Sequence, residues 1–592
     1  MTERRSGQPR PTVTPLERIG RAFGDMASGL HARGGGDPEA AATIGEQARR
    51  AWIEAADGHV CVAVTDSPVR AALAVSPAVA VPGASSTVEE TPLVLDGDAL
   101  YLRRLWRAED GLARAIRSFS VPAPLSSFDA MEKACATAFV AVEYDRMQHQ
   151  AIMHALTHRL TLLSGGPGTG KTATLARILV AFARLAPDAR VVFAAPTGKA
   201  AARLAASLAA ALARLDPTGS LRNRLPSAGT TVHRLLGWRA DGEARTAGLL
   251  DHDLVMVDEA SMLDVELAAA LTAAVGPDAR LVLAGDHDQL ASVEAGAVFA
   301  DLCTSLPGQT VHLTRNFRQQ DAAQIVALAA RFRTPSPSPG DEPAKVVAPA
   351  PTGDWPDAVP VRAPDPAAIV DEARTFWSDV GQLVAQRAAP RAVLAACERH
   401  RILCALRDGP TGVLALNRRM AAVVRGQAGG ATGGAVRGGL AATWYPGRLV
   451  LVTVNRPALG LFNGDVGICL ERSAGSASTG ATAGDLVVVF GDVNGVRSVP
   501  VFAMPACEDA WAMTIHKSQG SEFEAVSLVL GPAGHRLHTR ELVYTGITRA
   551  RSRLSVWAPA QALERAARVG VARHGRLQQR LSHGAAGSEG AP

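Results

Sequence analysis

Eight consecutive residues, Gly165, Gly166, Pro167, Gly168, Thr169, Gly170, Lys171 and Thr172, spell G-x-x-x-x-G-K-T. Glycine at this density lets the backbone fold tightly enough for its N–H groups to close around an anion at the start of a helix. In such a loop Lys171 reaches the β and γ oxygens of a nucleoside triphosphate, and the Thr172 hydroxyl ligates Mg²⁺. A compact ammonium suits that place better than a wide planar guanidinium. Downstream, LVMVDEA puts Asp258 and Glu259 at the end of a strand. There Asp258 holds Mg²⁺ through water and Glu259 polarises the attacking water as a general base. A further strand ends in Gly285-Asp286-His287-Asp288-Gln289, where Gln289 is placed to sense the γ-phosphate. A DE pair or a polar turn means little by itself, but behind a phosphate loop the set indicates ATP hydrolysis with Mg²⁺.

These residues need strands to carry them, and the chain supplies short apolar runs in alternation with helical stretches. The runs are LTLLS (160–164), VVFAA (191–195), LVMVDE (254–259) and LVLAGD (281–286), and the helix after the loop has apolar residues at 175, 178, 179, 182 and 185. This alternation predicts an α/β fold with a buried parallel sheet. Residues 15–140 mix helices with short apolar runs such as VCVAV (60–64), and DGD (96–98) offers a hairpin turn. Residues 443–505, with LVLVTV and DLVVVF between Gly-rich turns, suggest a small β-barrel inserted into a second α/β domain that resumes at VSLVL (526–530). The Pro-rich segment 334–366 reads as a flexible insertion. Residues 1–14 and 582–592, small, polar and unpatterned, are expected to be disordered.

At 592 residues several packed domains are expected. The 61 basic against 56 acidic side chains give only +5, compatible with local contact to a nucleic-acid backbone without demanding it. All but five of the basic residues are Arg, so the lysines at 133, 171, 199, 345 and 517 stand at places where Arg does not serve. The seven scattered Cys lack a C-x-x-C and suit neither a zinc site nor a disulfide framework, which fits a reducing cytoplasm. No apolar run is long enough to span a membrane.

P-loop ATPases include kinases, transporters and switches, and further motifs decide among them. In order along the chain stand Gln148, GGPGTGKT, APTGKAAARL (195–204), TVHRLLG (231–237), VDEASMLD (257–264), GDHDQL (285–290), LTRNFRQ (313–319), TIHKSQGSEF (514–523) and LVYTGITRARSRL (542–554). This series resembles that of superfamily 1 helicases. GLFNGDVG (460–467) and PLVLDGDALYLRRLW (92–106) narrow the resemblance to the RecD family, the alpha subunits of the RecBCD exonuclease (exodeoxyribonuclease V).

The resemblance implies two RecA-like domains with ATP between them, an inserted SH3-like barrel and 5′ to 3′ translocation on single-stranded DNA, in double-strand break repair and recombination. On that pattern residues 1–140 dock partners, 141–315 form the first RecA-like domain with a small hairpin at 238–252, 316–442 and 506–581 form the second, and 443–505 form the barrel. Gln148 and Gly520 fall at nucleotide-contact positions, and Arg318 and Arg549 at the positions of arginines that reach the γ-phosphate, where a guanidinium stabilises transition-state charge. Thr197 and Lys199, with Thr514, His516, Lys517 and Ser518, follow strands of the two domains and suit phosphate oxygens of DNA. His233 is either a DNA contact or a buried packing residue. Trp444, Tyr445 and Phe462 are expected in core or interdomain packing.

No lysine has Glu or Asp two positions before it, so the E-x-K element of metal-dependent nucleases is missing. The family implies that RecB-like and RecC-like partners complete a heterotrimer, the RecB-like chain carrying the nuclease. A stand-alone RecD-like helicase is one alternative, although its extra N-terminal helix-hairpin-helix repeats are not seen in residues 1–140. A catalytically silent nucleotide-binding scaffold is the other, disfavoured because every expected catalytic position is filled.

Overall fold

The computed structural model describes residues 14–83, 91–119, 121–139, 144–216, 219, 229–238, 248–317, 323–333, 359–429, 443–472, 486–492 and 495–583. Four sheets organise them. The first is built from β1 (Cys61–Ala63), β2 (Val79–Ala80), β3 (Leu93–Asp96) and β4 (Ala99–Leu102) in the order β1-β4-β3-β2. The expected hairpin joins β3 to β4, with Gly97 at φ +64° in its turn, a conformation glycine adopts without strain. Thr14, read from sequence as part of a disordered tail, instead caps the first helix, Pro15–Arg33, in a capping box with Glu17.

The second sheet contains β5 (Leu160–Gly165), β6 (Val191–Ala195), β7 (Thr230–Thr231), β8 (Leu254–Val257), β9 (Arg280–Gly285) and β10 (Thr310–Leu313), all parallel, in the order β10-β5-β9-β8-β6-β7. Its two faces read off with period two: Val255 and Val257 share a core with the N-terminal unit, whereas Leu254 and Met256 pack into the opposite core. Both faces are covered at the centre of the sheet, which is why β6 and β8 are apolar along their whole length. Helix Phe128–Thr137, assigned from sequence to the N-terminal domain, places Met131, Ala134 and Cys135 in that opposite core.

The third sheet is also parallel: β11 (Val361–Arg362), β12 (His400–Cys404), β18 (Ala512–Thr514), β19 (Phe523–Val529) and β20 (Ala550–Trp557), ordered β11-β20-β19-β12-β18. β11 lies inside the segment read as a flexible insertion, because Val361 and Arg362 find edge pairing on Val556 and Trp557. Between β12 and β18 runs an antiparallel sheet of β13 (Leu449–Val452), β14 (Val466–Glu471), β15 (Leu486–Asp492), β16 (Gly495–Pro500) and β17 (Cys507–Asp509), ordered β16-β15-β14-β13-β17. Trp444 is in its core, as expected, and Tyr445 packs against the third sheet's core.

The last helix, Leu577–His583, departs from expectation. It extends two residues into the stretch read as a disordered tail, and Leu577 and Leu581 enter the N-terminal core instead of the second parallel unit. Residues 1–13, 584–592 and most of the segments 238–252 and 334–366 lie outside the described residues. No helix among the described residues is long and apolar enough to cross a membrane.

Candidate active site

Strand β5 leads into the loop Gly165–Gly170, and helix Lys171–Leu185 starts directly after it. Gly168 and Gly170 take φ of +82° and +84°, open to glycine without strain. A Cβ at Gly165 would meet the Thr169 hydroxyl at 2.6 Å, so bare backbone is needed there too. Thr169 donates its hydroxyl to the Gly166 carbonyl at 2.7 Å and fixes the loop from inside. The Lys171 ammonium donates to the carbonyls of Gly165 (2.6 Å) and Gly166 (3.3 Å).

A cavity of about 240 Å³ opens at the carboxyl ends of β5, β8 and β9 and is closed by the segments preceding β19 and β20. Gly166, Pro167, Gly168, Gly170, Lys171 and Thr172 line one side, Asp258 and Glu259 the floor, and Gln289, Gly520 and Arg549 the far wall. Glu259 sits at φ +54°, a left-handed conformation that costs a non-glycine residue on the order of 1 kcal/mol and is concentrated at functional sites. Its N–H donates to Asp258 Oδ1 at 2.9 Å. Burial, with the neighbouring Glu259 charge, pushes the Asp258 carboxyl up to about 6, and the Lys171 ammonium opposes the shift. Such a carboxylate gains from a cation beside it, so the donor set of Thr172 and Asp258 fits Mg²⁺.

The two parallel-sheet units meet at Gln289. Its side-chain carbonyl accepts from Arg549 Nη2 at 2.7 Å, and its amide donates to Asp286 Oδ2 at 2.8 Å. Arg549 is buried and further held by the carbonyls of Thr545 (3.0 Å) and Ser521 (3.2 Å). The Leu290 N–H donates to the Thr545 hydroxyl at 2.9 Å, and Gln519 donates to the Leu290 carbonyl at 2.9 Å.

Some of the contributors went unnoticed in the sequence. Tyr544 donates to Asp286 Oδ2 at 3.1 Å from across the cleft, and burial raises the pKa of both groups. Arg203, in helix Gly198–Leu215, bonds the Gly520 carbonyl (3.1 Å) and Glu522 (2.9 Å), again joining the two units. Phe317, 47 % exposed, donates its N–H to the Gly168 carbonyl at 2.9 Å and sets its ring beside Gly170. The last two had a legible signal, a charged residue on a helix after a motif strand and an aromatic next to Arg318. Arg318 itself lies outside the described residues. Gln148 is buried at the loop but does not line the cavity, since Arg177 donates to its side-chain carbonyl.

The residues expected to touch DNA are placed unevenly. Thr197 caps its helix, its hydroxyl accepting from the Ala200 N–H at 3.2 Å. Lys199 is half-buried, and burial with the Arg401 charge brings its pKa down to about 8, although Glu398 and Asp465 counteract this. His233 is exposed, edge-on to Trp238, which removes the buried-packing alternative. Thr514 accepts from the Lys517 N–H, and the Lys517 ammonium pairs with Glu508. His516 is half-buried, its pKa lowered by burial and by Arg573. Ser518 is fully buried and spends its hydroxyl on the Ile515 carbonyl at 2.7 Å, so in this conformation it faces no ligand. Phe462 packs against Gly198 and under the Arg234 guanidinium, the interdomain role expected of it.

Residues 143–338 match the family model described as AAA domain, and residues 509–557 that of the UvrD-like helicase C-terminal domain. The RecBCD enzyme subunit RecD of Mycolicibacterium smegmatis is 38% identical over 488 residues, 80% of this chain and 80% of that protein. The ATP-dependent RecD2 DNA helicase of Deinococcus radiodurans is 31% identical over 479 residues, which make up 79% of this chain and 57% of that protein. The crystal structure of Pif1 helicase from Candida albicans covers 75% of this chain and 99% of its own at 16% identity, with a TM-score of 0.38, too distant to bear on function.

Proposed function

Because the chain belongs to the RecD family of RecBCD enzyme subunits and is accordingly an ATP-dependent DNA helicase, we propose that its motor stroke is made in the cavity between the two parallel-sheet units. ATP lies with its phosphates on Gly166, Pro167, Gly168 and Gly170, and Lys171 neutralises the β and γ oxygens. The exposed ring of Phe317 offers the base a face to stack on. Thr172 and Asp258 would hold Mg²⁺, which when bound would supply charge neutralisation on the phosphates. Glu259 takes the proton of the attacking water. Arg549, with Arg318 assigned by its motif, brings positive charge from the second unit to the γ-phosphoryl oxygens, so that hydrolysis depends on a closed cleft.

The observation that carries this reading is the 2.7 Å bond from Arg549 to Gln289, which ties the charge of one unit to the residue of the other that is assigned to the γ-phosphate by its motif. A single strand runs over Thr197, Lys199, His233, Thr514, His516 and Lys517, moved 5′ to 3′. The antiparallel sheet is read as the SH3-like barrel of the family, the N-terminal unit as the docking domain, and RecB-like and RecC-like chains as partners in the cytoplasm, the nuclease residing with the partner.

Lys171→Ala tests the assignment. Hydrolysis in the presence of single-stranded DNA should fall by a factor of about 100–1,000, with folding and assembly intact. Unchanged hydrolysis would sink the reading. Co-expression with RecB-like and RecC-like chains, followed by unwinding of duplexes with 5′ or 3′ tails, tests polarity and partnership together; preference for 3′ tails, or full activity of a free monomer, would overturn the respective part.

A further inference from the structure

After helix Ala560–Arg568 the chain leaves the second parallel unit and crosses to the N-terminal one. It is tied to the former through the Val569 carbonyl, accepting from the Arg540 N–H at 2.9 Å, and the Val571 N–H, donating to Glu541 at 2.8 Å. The next residues are anchored elsewhere. The His574 carbonyl accepts from the Val60 N–H at 2.7 Å, and the His574 ring stacks on His59 at 4.7 Å. The Arg576 N–H donates to Glu109 at 2.7 Å, and Arg580 reaches Glu109 at 3.1 Å and Asp96 at 2.5 Å.

Arg573 stands where the three units meet. One Nη donates to the Asp57 carbonyl of the N-terminal unit at 2.9 Å, and the other to the Ser292 carbonyl at 2.9 Å. Gly58, at φ +92°, has its missing side chain filled by this guanidinium: a Cβ there would lie 0.8 Å from Nη1. The Gly58 carbonyl in turn accepts from the Gly296 N–H at 3.0 Å. The loop Leu290–Gly296 is therefore gripped by the N-terminal unit and by Arg573 at one end. At its other end it is joined to Gln289, whose side-chain carbonyl accepts from Arg549. The Arg573 charge also reaches His516 of the second unit.

We propose that Arg573 is a positioning residue for ATP hydrolysis: it fixes the Ser292 loop so that Gln289 presents its carbonyl to Arg549, and it makes the N-terminal unit follow the closing of the cleft. This rests on the reading of the cavity as the hydrolytic site. The two carbonyls lie in different units, so a donor bound to both is under tension or relief whenever the units move. A surface arginine without that bridge would transmit nothing.

The test uses the full chain and steady-state ATP hydrolysis with single-stranded DNA. Arg573→Ala, which removes both bonds, should lower kcat about tenfold, because only part of that loss is passed on to the Gln289–Arg549 contact, and leave KM for ATP within about twofold. Arg573→Lys, which keeps one of the two bonds, should recover part of kcat and serves in its place should the alanine variant not fold. Arg580→Ala, which cuts the anchor on Glu109, Asp110 and Asp96 within the N-terminal unit, should lower Tm without lowering kcat. Wild-type kcat in Arg573→Ala, or losses in the two alanine variants that track Tm alike, would overturn the inference. Absence of hydrolysis in the wild-type chain would instead mark failure of the hydrolytic-site reading.

Discussion

Replacing Gln289 by alanine isolates the bond between the two units. Its carbonyl accepts from a buried guanidinium at 2.7 Å, and its amide donates to a buried carboxylate at 2.8 Å. The carboxylate keeps Tyr544 as a donor at 3.1 Å, and Arg549 keeps the carbonyls of Thr545 and Ser521. Neither charge is orphaned, so the fold should survive with a small change in Tm. What disappears is one charge-assisted hydrogen bond, about 1.5–3 kcal/mol in a site closed to water. If that bond is made in the closed, hydrolysing state and not in the open one, the loss falls on kcat, by a factor of about 10–150, while KM for ATP is little changed. Gln289→Ala, Arg549→Ala and the double variant form a cycle. The coupling energy from kcat/KM should be about 1.5–3 kcal/mol, since each single variant already breaks the bond. Additivity within about 0.5 kcal/mol would refute the reasoning, as would a rise in KM with kcat unchanged, which would make Gln289 a ground-state binding residue.

Two further outcomes follow from the charges. Lys199, brought down to about 8, is positive below that pH and neutral above it, so its phosphate contact should weaken as pH rises from 7 to 9; Lys199→Arg should hold its affinity for single-stranded DNA over that range, measured by fluorescence anisotropy. Burial depresses His400 to about 3 and His154 to about 4, so both are neutral in the folded chain when unfolded histidine begins to bind protons near 6.5. The unfolded state then holds the extra protons, and stability is lost as pH falls from about 6.5 towards 4, by up to about 1.4 kcal/mol per pH unit for each ring. The Tm of His400→Asn should decline less steeply with acid than that of the wild type, and parallel curves would remove His400 as a cause.

The primary sequence by itself determined four of the six strands of the first parallel sheet and the phosphate loop that β5 carries, but not its edge strands β7 and β10. Residues 191–195 form β6 to the residue, and 160–164 all of β5 but its last glycine, because a strand covered on both faces must be apolar along its length, and because Gly168 and Gly170 need a left-handed backbone. These constraints act within a few residues and leave a local imprint. The partner of Gln289 is 260 residues away and that of Asp286 is 258, so no spacing or period could announce Arg549 or Tyr544 as the contact. Ser518 sits in the expected motif and yet turns inward, since its hydroxyl completes a tight turn on Ile515. The docking of helix Leu577–His583 in the N-terminal core was likewise decided only in three dimensions: Leu577 and Leu581 show that the helix has an apolar face but not which core it fills. Local pattern states what a residue needs, and tertiary packing selects which distant group supplies it.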